Sequence, residues 1–373
     1  MLRHRGHDVA EFVRHSDDIR AKGVLGAVHG GLVTPWNPWA ATSMRREVER
    51  FKPDVVHVHN TFPLISPAIF HAIGSKSARV LTLHNYRLFC PAAIPMREGR
   101  VCTDCLDNHN VWPALRYGCY RGSRLATAPL AMSVALHRAL DTWRKEVDAF
   151  ITLSEFQRDR MVAAGLPAEK VHVKPNFFPG NPKTTPWAER GNYCVFVGRL
   201  SPEKGVESLL RAWRIWGADA PELRLVGDGP LRNRLVEVTS GLPVRFLGQI
   251  SSLDAQAQIA NARLLILPSE CFEGFGLVVS EAFAFGTPVA VSNIGPLPSI
   301  VRHGVNGVIF EPGDAPSLQK IVRKVWKTPG ELERLSLGAR ESFQQEYTEE
   351  ANYRMLMEIY DKAIMVKREH SKK

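Results

Sequence analysis

The stretch LPSECFEGFGLVVSEAFAFGTPVAVSNIGPLPSI, residues 267–300, decides the fold. It begins at the end of the apolar run Leu264–Leu267, which Pro268 stops, so the sequence predicts a strand there. A turn with two glycines follows at Glu273–Gly276, and the apolar segment 277–284 then runs to a helix-stopping glycine. The order strand, glycine turn and helix is typical of α/β domains with a parallel sheet.

The glycine turn has the properties of a phosphate-binding site. The first N–H groups of a helix have no partner inside it and carry an effective charge of about half a unit. The glycines let a phosphate approach this backbone closely. Two carboxylates, Glu273 and Glu281, bracket the turn with seven residues between them. Because the glycines break the helix, Glu273 lies beside the phosphate site, whereas Glu281 lies one turn into the helix and can accept two hydrogen bonds from a ribose diol.

A second phosphate motif precedes this stretch. The predicted strand Tyr193–Val197 leads into the loop GRLSPEKG, residues 198–205, and a helix is predicted near Glu207–Trp216. A basic loop bounded by glycines suits a diphosphate, because Arg199 can bind two oxygens and Lys204 adds a compact charge. Further strands are predicted at 225–226, 244–248 and 289–292. This alternation of strands and helices predicts a parallel α/β domain.

The patterns S-E-x-F-E-G-F-G-L-V-x-x-E-A-x-A-x-G-T-P-V and G-R-L-x-x-E-K-G resemble the retaining glycosyltransferases of family GT4, also called group 1. The resemblance implies the GT-B fold, an α/β architecture of two Rossmann-like domains with a cleft between them. It implies that Glu273 contacts the donor sugar, that Glu281 binds the nucleotide ribose, and that Arg199 and Lys204 stabilise the leaving diphosphate. It also implies that the turn amides of residues 275–277 hold the diphosphate. The implied nucleotide-sugar site comprises Gly198, Arg199, Lys204, Gly227, Gly274, Phe275, Gly276, Leu277 and Glu281.

Two predicted strands in the first half of the chain, 54–58 and 79–83, each end at a His-Asn pair. Ligands gather at the carboxyl ends of parallel strands, which makes His59 and His84 candidate site residues. A loop histidine that binds backbone carbonyls is the alternative for both. The resemblance favours His84 as a donor-sugar contact, and the predicted catalytic set is then His84, Arg199, Lys204 and Glu273.

The chain is long enough for two domains. We predict a first, acceptor-side domain over residues 1–175, a proline-containing linker over 176–192, and a nucleotide-sugar domain over 193–340. The closing segment 341–373 fits the final helix that crosses back to the first domain in GT-B proteins. Met1–Val9 is expected to be the end of a first helix that runs into a strand at Val9–Val13, without the first strand and glycine-rich loop of related proteins.

Four cysteines fall in a predicted insert over residues 88–120, with a C-x2-C pair at its centre: Cys90, Cys102, Cys105 and Cys119. Four thiolates suit a structural zinc ion, and unliganded thiols are the alternative. The pair is predicted to have no helix beginning at it, which disfavours a redox role. Without a secretory signal, six cysteines favour a reducing cytoplasm.

The charge is concentrated in the first half of the chain. Residues 1–175 contain 24 Lys and Arg against 16 Asp and Glu, whereas the remainder contains 24 against 22. A basic first domain suits anionic partners, among them lipid headgroups and pyrophosphate-linked acceptors. The apolar segment Leu125–Leu136 has basic flanks, and either packs as a buried helix or lies at the inner face of an anionic membrane.

These motifs predict a glycosyltransferase that moves a sugar from a UDP- or GDP-sugar to a glycan or lipid-linked acceptor in cell-surface polysaccharide synthesis. No metal cofactor is expected for catalysis, because the cations already serve the leaving group. The alternative is a non-catalytic sugar-nucleotide-binding homologue. A glycoside hydrolase needs no cationic loop, a dinucleotide oxidoreductase needs an early G-x-G-x-x-G, and no aromatic-and-basic motif predicts nucleic-acid binding.

Overall fold

The computed structural model describes residues 1–15, 21 and 23–370. Residues 16–20 and 22 of the predicted first domain, and residues 371–373 of the predicted closing segment, lie outside the described residues. The chain divides into two compact units. The first comprises 1–95, 102–174 and 353–373, and the second comprises 96–101 and 175–352.

The strands are short and rich in β-branched and aromatic residues. In chain order they are β1 (Val55–Val58), β2 (Ala78–Thr82), β3 (Met96–Arg97), β4 (Arg100–Val101), β5 (Ala149–Thr152), β6 (Val171–Val173), β7 (Tyr193–Val197), β8 (Glu222–Val226), β9 (Val244–Gly248), β10 (Leu264–Leu267), β11 (Val289–Ser292) and β12 (Gly307–Phe310). β3 and β4 pair as a small antiparallel hairpin, and the other strands form two parallel sheets.

Helices connect the parallel strands. The α-helices are Gly23–Val33, Pro38–Phe51, Ile69–Ala72, Asp104–Asp107, Trp112–Tyr117, Arg124–Ala139, Thr142–Lys145, Glu155–Ala163, Val206–Trp216, Arg232–Val238, Ser252–Ala260, Leu277–Ala284, Leu297–Ile300, Ala315–Lys327, Glu331–Glu346 and Glu349–His370. Short 3-10 turns lie at Arg3–Arg5, Ala168–Lys170, Trp187–Glu189, Pro202–Lys204 and Gly217–Asp219. Within the described ranges, no helix combines the length and the apolar character needed to cross a bilayer.

The sheet of the first unit has the order β1-β2-β5-β6, and β2 and β5 are buried along their whole length. Burial on both faces is typical of parallel sheets. Three residues of the last helix, Leu356, Ile359 and Ala363, pack against this sheet with 5%, 4% and 0% exposure. Leu356, Ile359 and Ala363 follow the helical spacing i, i+3, i+7, so the helix buries one stripe against the sheet.

The sheet of the second unit has the order β12-β11-β10-β7-β8-β9. Its first strand, β7, lies in the middle, and the chain continues to one side through β8 and β9 and then to the other side through β10, β11 and β12. This is the doubly wound topology of dinucleotide-binding domains, and its strand order reverses between β7 and β10. Large apolar side chains such as Trp213 and Phe196, both fully buried, fill the core around the sheet.

The strand predicted at Val9–Val13 is wrong, because these residues have no regular secondary structure. A strand is stabilised by a neighbouring ladder, and no described strand pairs with this segment. Val13 is 52% exposed, so its apolar side chain does not contribute to the core either.

A buried histidine of the first unit is expected to make the protein sensitive to acid. Nε2 of His137 donates to the Pro35 carbonyl at 2.9 Å, and its Nδ1 lies 3.0 Å from the Thr142 hydroxyl. A carbonyl can only accept, so the imidazole is neutral when Thr142 donates to Nδ1. Burial lowers the pKa of His137 from 6.5 to about 4, against an opposing effect of the Pro35 carbonyl.

Between pH 4 and 6.5 the unfolded chain therefore binds a proton at His137 that the folded chain does not. Stability is lost as pH falls through this window, by about 3 kcal/mol for a shift of this size. We expect His137→Gln to give a flatter dependence of the unfolding temperature on pH than the wild-type protein. Parallel curves for the two proteins would contradict the assignment.

Candidate nucleotide-sugar site

Two loops meet at the carboxyl edge of the second sheet. The loop after β7 spans 198–205, and the loop after β10 spans 268–276. Since β7 and β10 are neighbours, both loops lie where the strand order reverses, the usual ligand position in such sheets. The Glu270 amide donates to the Glu203 carbonyl at 3.0 Å and ties the two loops together.

An ion pair joins the two motifs. The Lys204 ammonium lies 2.8 Å and 3.0 Å from the two carboxylate oxygens of Glu273. The Ser269 hydroxyl, which belongs to a fully buried residue, also donates to this carboxylate. Burial acts to lower the pKa of Lys204, but the Glu273 carboxylate outweighs it and raises that pKa. The lysine is therefore a fixed cation, with its side chain 27% exposed, beside a carboxylate that is 11% exposed.

The backbone after Glu273 has spare hydrogen-bond donors. Among the described residues, no acceptor contacts the N–H groups of residues 274–278. The Val279 amide is the first to be satisfied, by the Gly276 carbonyl at 2.8 Å. Gly276 has a left-handed φ of 83° immediately before the helix Leu277–Ala284. Unpaired amides at a helix start form an anion site, and these amides include those predicted to hold a diphosphate.

The second cation of the basic loop is free. Arg199 is exposed, and its guanidinium makes no hydrogen bond or ion pair with any residue that the structure describes. The loop after β8 packs on this basic loop, since the Leu200 amide donates to the Asp228 carbonyl at 3.0 Å. A methyl group on Gly227 would lie 2.0 Å from the Gly198 carbonyl oxygen. The structure thus brings predicted site residues from three loops to one edge of the sheet.

The carboxyl group of Glu281 is half-buried in the helix Leu277–Ala284, and burial raises its pKa above the usual glutamate value. Within the described part of the chain, no hydrogen bond or ion pair to its carboxylate is found. A carboxylate that is partly desolvated without a partner is costly in the free protein. It is therefore suited to accept hydrogen bonds from a ligand.

Close contact between the loops depends on Gly205. A methyl group there would lie 1.8 Å from the Pro268 carbonyl oxygen, and the residue has a left-handed φ of 66°. We expect Gly205→Ala to destabilise the protein by about 3 kcal/mol or more. A residue with a Cβ costs about 1–2 kcal/mol in the left-handed backbone conformation, and the clash of this Cβ with the backbone of the other loop adds to that cost.

The matched control is Gly241→Ala, because Gly241 has a similar φ of 78° but open space around it. It is expected to lose only the conformational part, about 1 kcal/mol. Thermal unfolding of both variants measures the difference. Equal losses would contradict the close approach of the two loops.

His84 belongs to the first unit, whereas the residues above belong to the second. Its Nε2 is 3.0 Å from Nδ1 of His59, as expected for residues at the ends of neighbouring parallel strands. Burial, together with the positive charge of Lys174, lowers the pKa of His84, and burial lowers that of His59 to about 4. Both imidazoles are therefore neutral near pH 7. They line a pocket with Asn85, and the role of His84 at the donor sugar stays a prediction.

The four cysteines of the predicted insert, all within the described residues, are not linked by disulfide bonds. Burial raises the pKa of Cys90 to about 12 and that of Cys105 to about 11. The prediction that no helix begins at the C-x2-C pair is wrong, because the one-turn helix Asp104–Asp107 begins between Cys102 and Cys105. In the described ranges, no group of three or more His, Cys, Asp or Glu residues is arranged to hold a metal ion. Structural zinc stays a prediction.

One contributor to the site was not predicted. Ser269 lies inside the quoted motif, but its sequence position gives no sign that it will bind the carboxylate of Glu273. Ser269 and Glu273 are four residues apart in one turn, and their contact depends on the conformation of that turn.

Two family profiles match the chain. Glycosyltransferase Family 4 covers residues 1–179, and glycosyl transferases group 1 covers residues 178–342. Among curated relatives, the sulfoquinovosyl transferase SQD2 of Arabidopsis thaliana is 26% identical over 331 residues, which is 85% of this chain and 58% of that protein. The glycogen synthase of Mycobacterium tuberculosis is 30% identical over 313 residues, which is 80% of this chain and 66% of that protein. The chain thus spans less than two thirds of the length of these curated relatives.

Solved structures share the architecture. The crystal structure of Anabaena Alr3699/HepE in complex with UDP has a TM-score of 0.61 and 21% sequence identity, and the match covers 87% of this chain and 82% of that one. At this identity the likeness shows the fold, which confirms the predicted pair of Rossmann-like domains. The chain therefore belongs to the glycosyl transferases of group 1, glycosyltransferase family 4, and has the α/β GT-B fold.

Proposed function

We propose that the chain is a retaining glycosyltransferase that uses a nucleoside-diphosphate sugar, a UDP- or GDP-sugar, as donor. The observation that carries the proposal is the Lys204–Glu273 pair beside the unpaired amides of residues 274–278. Breaking a sugar–phosphate bond leaves negative charge on the diphosphate and develops positive charge on the sugar ring. The site offers a cation and N–H donors for the first charge, and a carboxylate for the second.

Retention follows if the acceptor hydroxyl attacks the anomeric carbon from the face that the diphosphate leaves. The bond from the anomeric carbon to the phosphate oxygen breaks as the bond to the acceptor oxygen forms, and the proton of the acceptor hydroxyl passes to the departing phosphate oxygen. We assign no second carboxylate of the chain as a nucleophile, since the proposal gives Glu281 the role of binding the ribose. Arg199, free and exposed, adds a forked donor for the departing phosphate oxygens.

For the acceptor we propose a glycan or lipid-linked saccharide of cell-surface polysaccharide synthesis. The name of one relative, glycogen synthase, supports a glycan product, and that of another, sulfoquinovosyl transferase, supports transfer of a sugar. The UDP in the HepE complex supports UDP as the donor nucleotide. We also propose that the protein acts in the cytoplasm, which rests on the sequence alone.

The direct test is a thermal-shift panel of UDP-, GDP- and ADP-sugars on the full chain. One nucleotide class is expected to raise the unfolding temperature, because a ligand that binds only the folded state stabilises it. The same nucleotide sugar is then given candidate acceptors, and release of the nucleoside diphosphate is followed. Stabilisation without any release would favour the non-catalytic homologue, and no stabilisation by any member would contradict the donor site.

Metal chelation is expected to leave transfer unchanged. Lys204, Arg199 and the amides of 274–278 supply positive charge at the leaving group, so a divalent cation has no role there. Initial rates are measured with and without EDTA. A large loss on chelation that added Mg²⁺ or Mn²⁺ restores would contradict this part of the proposal.

A further inference from the structure

One helix of the first unit buries small residues and exposes most of its large apolar side chains. The helix Gly23–Val33 buries Gly26, Gly30 and Val33, and no residue in it carries a fixed charge. Its large side chains instead face outward, with exposed fractions of 80% for Val24, 81% for Leu25, 55% for Val28 and 74% for Leu32. These four positions lie within one face, about 100° wide, opposite the glycines. A helix that faces water normally has polar residues on that side.

This helix packs on the helix Arg124–Ala139. A methyl group on Gly31 would lie 3.4 Å from Cγ of Pro129. The rings of His29 and Trp39 lie 6.2 Å apart, so Trp39 at the start of the helix Pro38–Phe51 lies beside the helix Gly23–Val33. Other exposed side chains here are Trp36 at 38%, Trp39 at 67%, Leu125 at 87% and Met132 at 56%. We call Val24, Leu25, Val28, Leu32, Trp39, Leu125 and Met132 the apolar face.

The segment Leu125–Leu136, for which burial and a membrane position are the two alternatives, contributes little to this face. Its helix buries Thr127, Leu130, Ala131, Val134 and His137, as the burial alternative predicts. Leu125 and Met132 are the large apolar side chains of this helix that are exposed. Most of the apolar face therefore comes from the helix Gly23–Val33, which sequence periodicity did not single out.

The two segments that carry the apolar face are basic. Segments 23–46 and 108–140 contain six arginines and no aspartate or glutamate, and the nearest acidic residues along the chain are Glu47, Asp107 and Asp141, just beyond their ends. Five of these arginines are exposed: Arg45, Arg46, Arg116, Arg121 and Arg124. The Nε of Arg124 donates to the Arg116 carbonyl at 3.0 Å, which joins the second arginine segment to the start of the helix Arg124–Ala139.

We propose that the apolar face docks on an anionic lipid bilayer. The helix Gly23–Val33 lies in the boundary between headgroups and acyl chains, Trp39 lies at headgroup level, and the arginines contact lipid phosphates and carboxylates. A second copy of the chain is a poorer occupant, because a symmetric contact would place arginines against arginines. The inference goes beyond sugar transfer and does not rest on it.

The test is flotation of the full chain with vesicles of phosphatidylcholine, with and without phosphatidylserine. Binding is expected only, or at least about tenfold more strongly, with phosphatidylserine, and it should weaken as salt is added. Leu25→Asp should reduce binding about tenfold or more, because a charge replaces an apolar side chain in the boundary. Leu337→Asp is the matched control, since Leu337 is 71% exposed in the second unit.

The charge arm uses Arg45→Glu with Arg46→Glu, and Arg245→Glu, an exposed arginine of the second unit, as its control. The first change should weaken binding to phosphatidylserine vesicles and the second should not. Fluorescence quenching by brominated acyl chains should be reduced in Trp39→Phe. Because Leu25 and Trp39 are exposed, circular dichroism should show all variants folded.

Three outcomes would overturn the proposal. In the first, the wild-type chain binds neither kind of vesicle. In the second, Leu25→Asp binds vesicles as well as the wild type does. The third is a dimer in solution, detected by sedimentation, that Leu25→Asp dissociates and that does not bind vesicles. That result would assign the face to a second copy of this chain.

Discussion

Replacing Lys204 by alanine is expected to lower kcat for sugar transfer by about 10²–10³-fold, the size of effect found when one fixed group that stabilises transition-state charge is removed. Its ammonium lies 2.8 Å from Glu273, so it is held in place before the diphosphate begins to leave. Such a cation stabilises the charge without reorganising. Initial rates with the nucleotide sugar identified by thermal shift measure the loss.

Two further variants separate catalysis from folding. Lys204→Ala leaves the Glu273 carboxylate with the Ser269 hydroxyl but without its cation, and should cost about 1–3 kcal/mol of stability. Adding Glu273→Gln removes the unpaired charge and should recover much of the stability, while transfer stays lost. Recovery of the rate in the double variant would contradict a catalytic role for the pair. Lys320→Ala, an exposed lysine of the same unit, is the control for both readouts.

Glu281→Gln is expected to weaken binding of the nucleoside diphosphate by about 10- to 150-fold, which corresponds to the loss of about 1.5–3 kcal/mol in hydrogen bonds to a charged group. The carboxylate is half-buried and has no partner among the described residues. Two ribose hydroxyls of the bound nucleotide would donate hydrogen bonds to this carboxylate. Calorimetric titration with the nucleoside diphosphate measures the change, and Glu333→Gln, an exposed residue, is the control.

The same residue should make binding depend on pH. Burial raises the pKa of Glu281, so the carboxylate protonates at a higher pH than an ordinary glutamate does. Only the ionised form accepts both hydroxyl hydrogen bonds, and affinity should therefore fall as pH is lowered through that raised pKa. Glu281→Gln should remove this dependence.

Glu281→Gln is expected to weaken nucleotide binding, but it should not lower the stability of the protein without nucleotide. A raised carboxyl pKa means that the ionised form is disfavoured on folding, so Glu281→Gln should leave the unfolding temperature of the free protein equal or higher. A variant that binds weakly because it is less stable would contradict the assignment of Glu281 to the ribose.

The sequence predicted most of the second sheet because its strands are continuous apolar runs between glycine and proline stops. Tyr193–Val197 and Leu264–Leu267 have the predicted bounds. Both strands are buried, and burial on two faces leaves little ambiguity in such a run.

The ion pair at the centre of the site could not be predicted in this way. Lys204 and Glu273 are 69 residues apart, and their meeting depends on β7 and β10 being neighbours in the sheet. Neighbour choice is a tertiary property that local periodicity does not carry. Family resemblance assigned both residues to one site, but neither it nor spacing gives their direct contact.

The helix Gly23–Val33 shows the opposite limit. Its apolar residues follow helical spacing, which would place them in a core, yet the structure buries the glycines instead. Small residues allow close packing against the helix Arg124–Ala139, and the larger side chains are left outside. Which side of a helix is covered depends on its neighbours, and spacing alone does not give that side.

Sugar transfer at this site requires above all that a diphosphate binds the amides at residues 274–278. Hydrogen–deuterium exchange of the full chain, with and without the nucleoside diphosphate that binds it, tests this claim directly. We predict that exchange slows in the peptides that cover 274–278, because amides without an acceptor in the free protein gain phosphate oxygens. Tight nucleotide binding that leaves exchange at these residues unchanged and protects another region would contradict it.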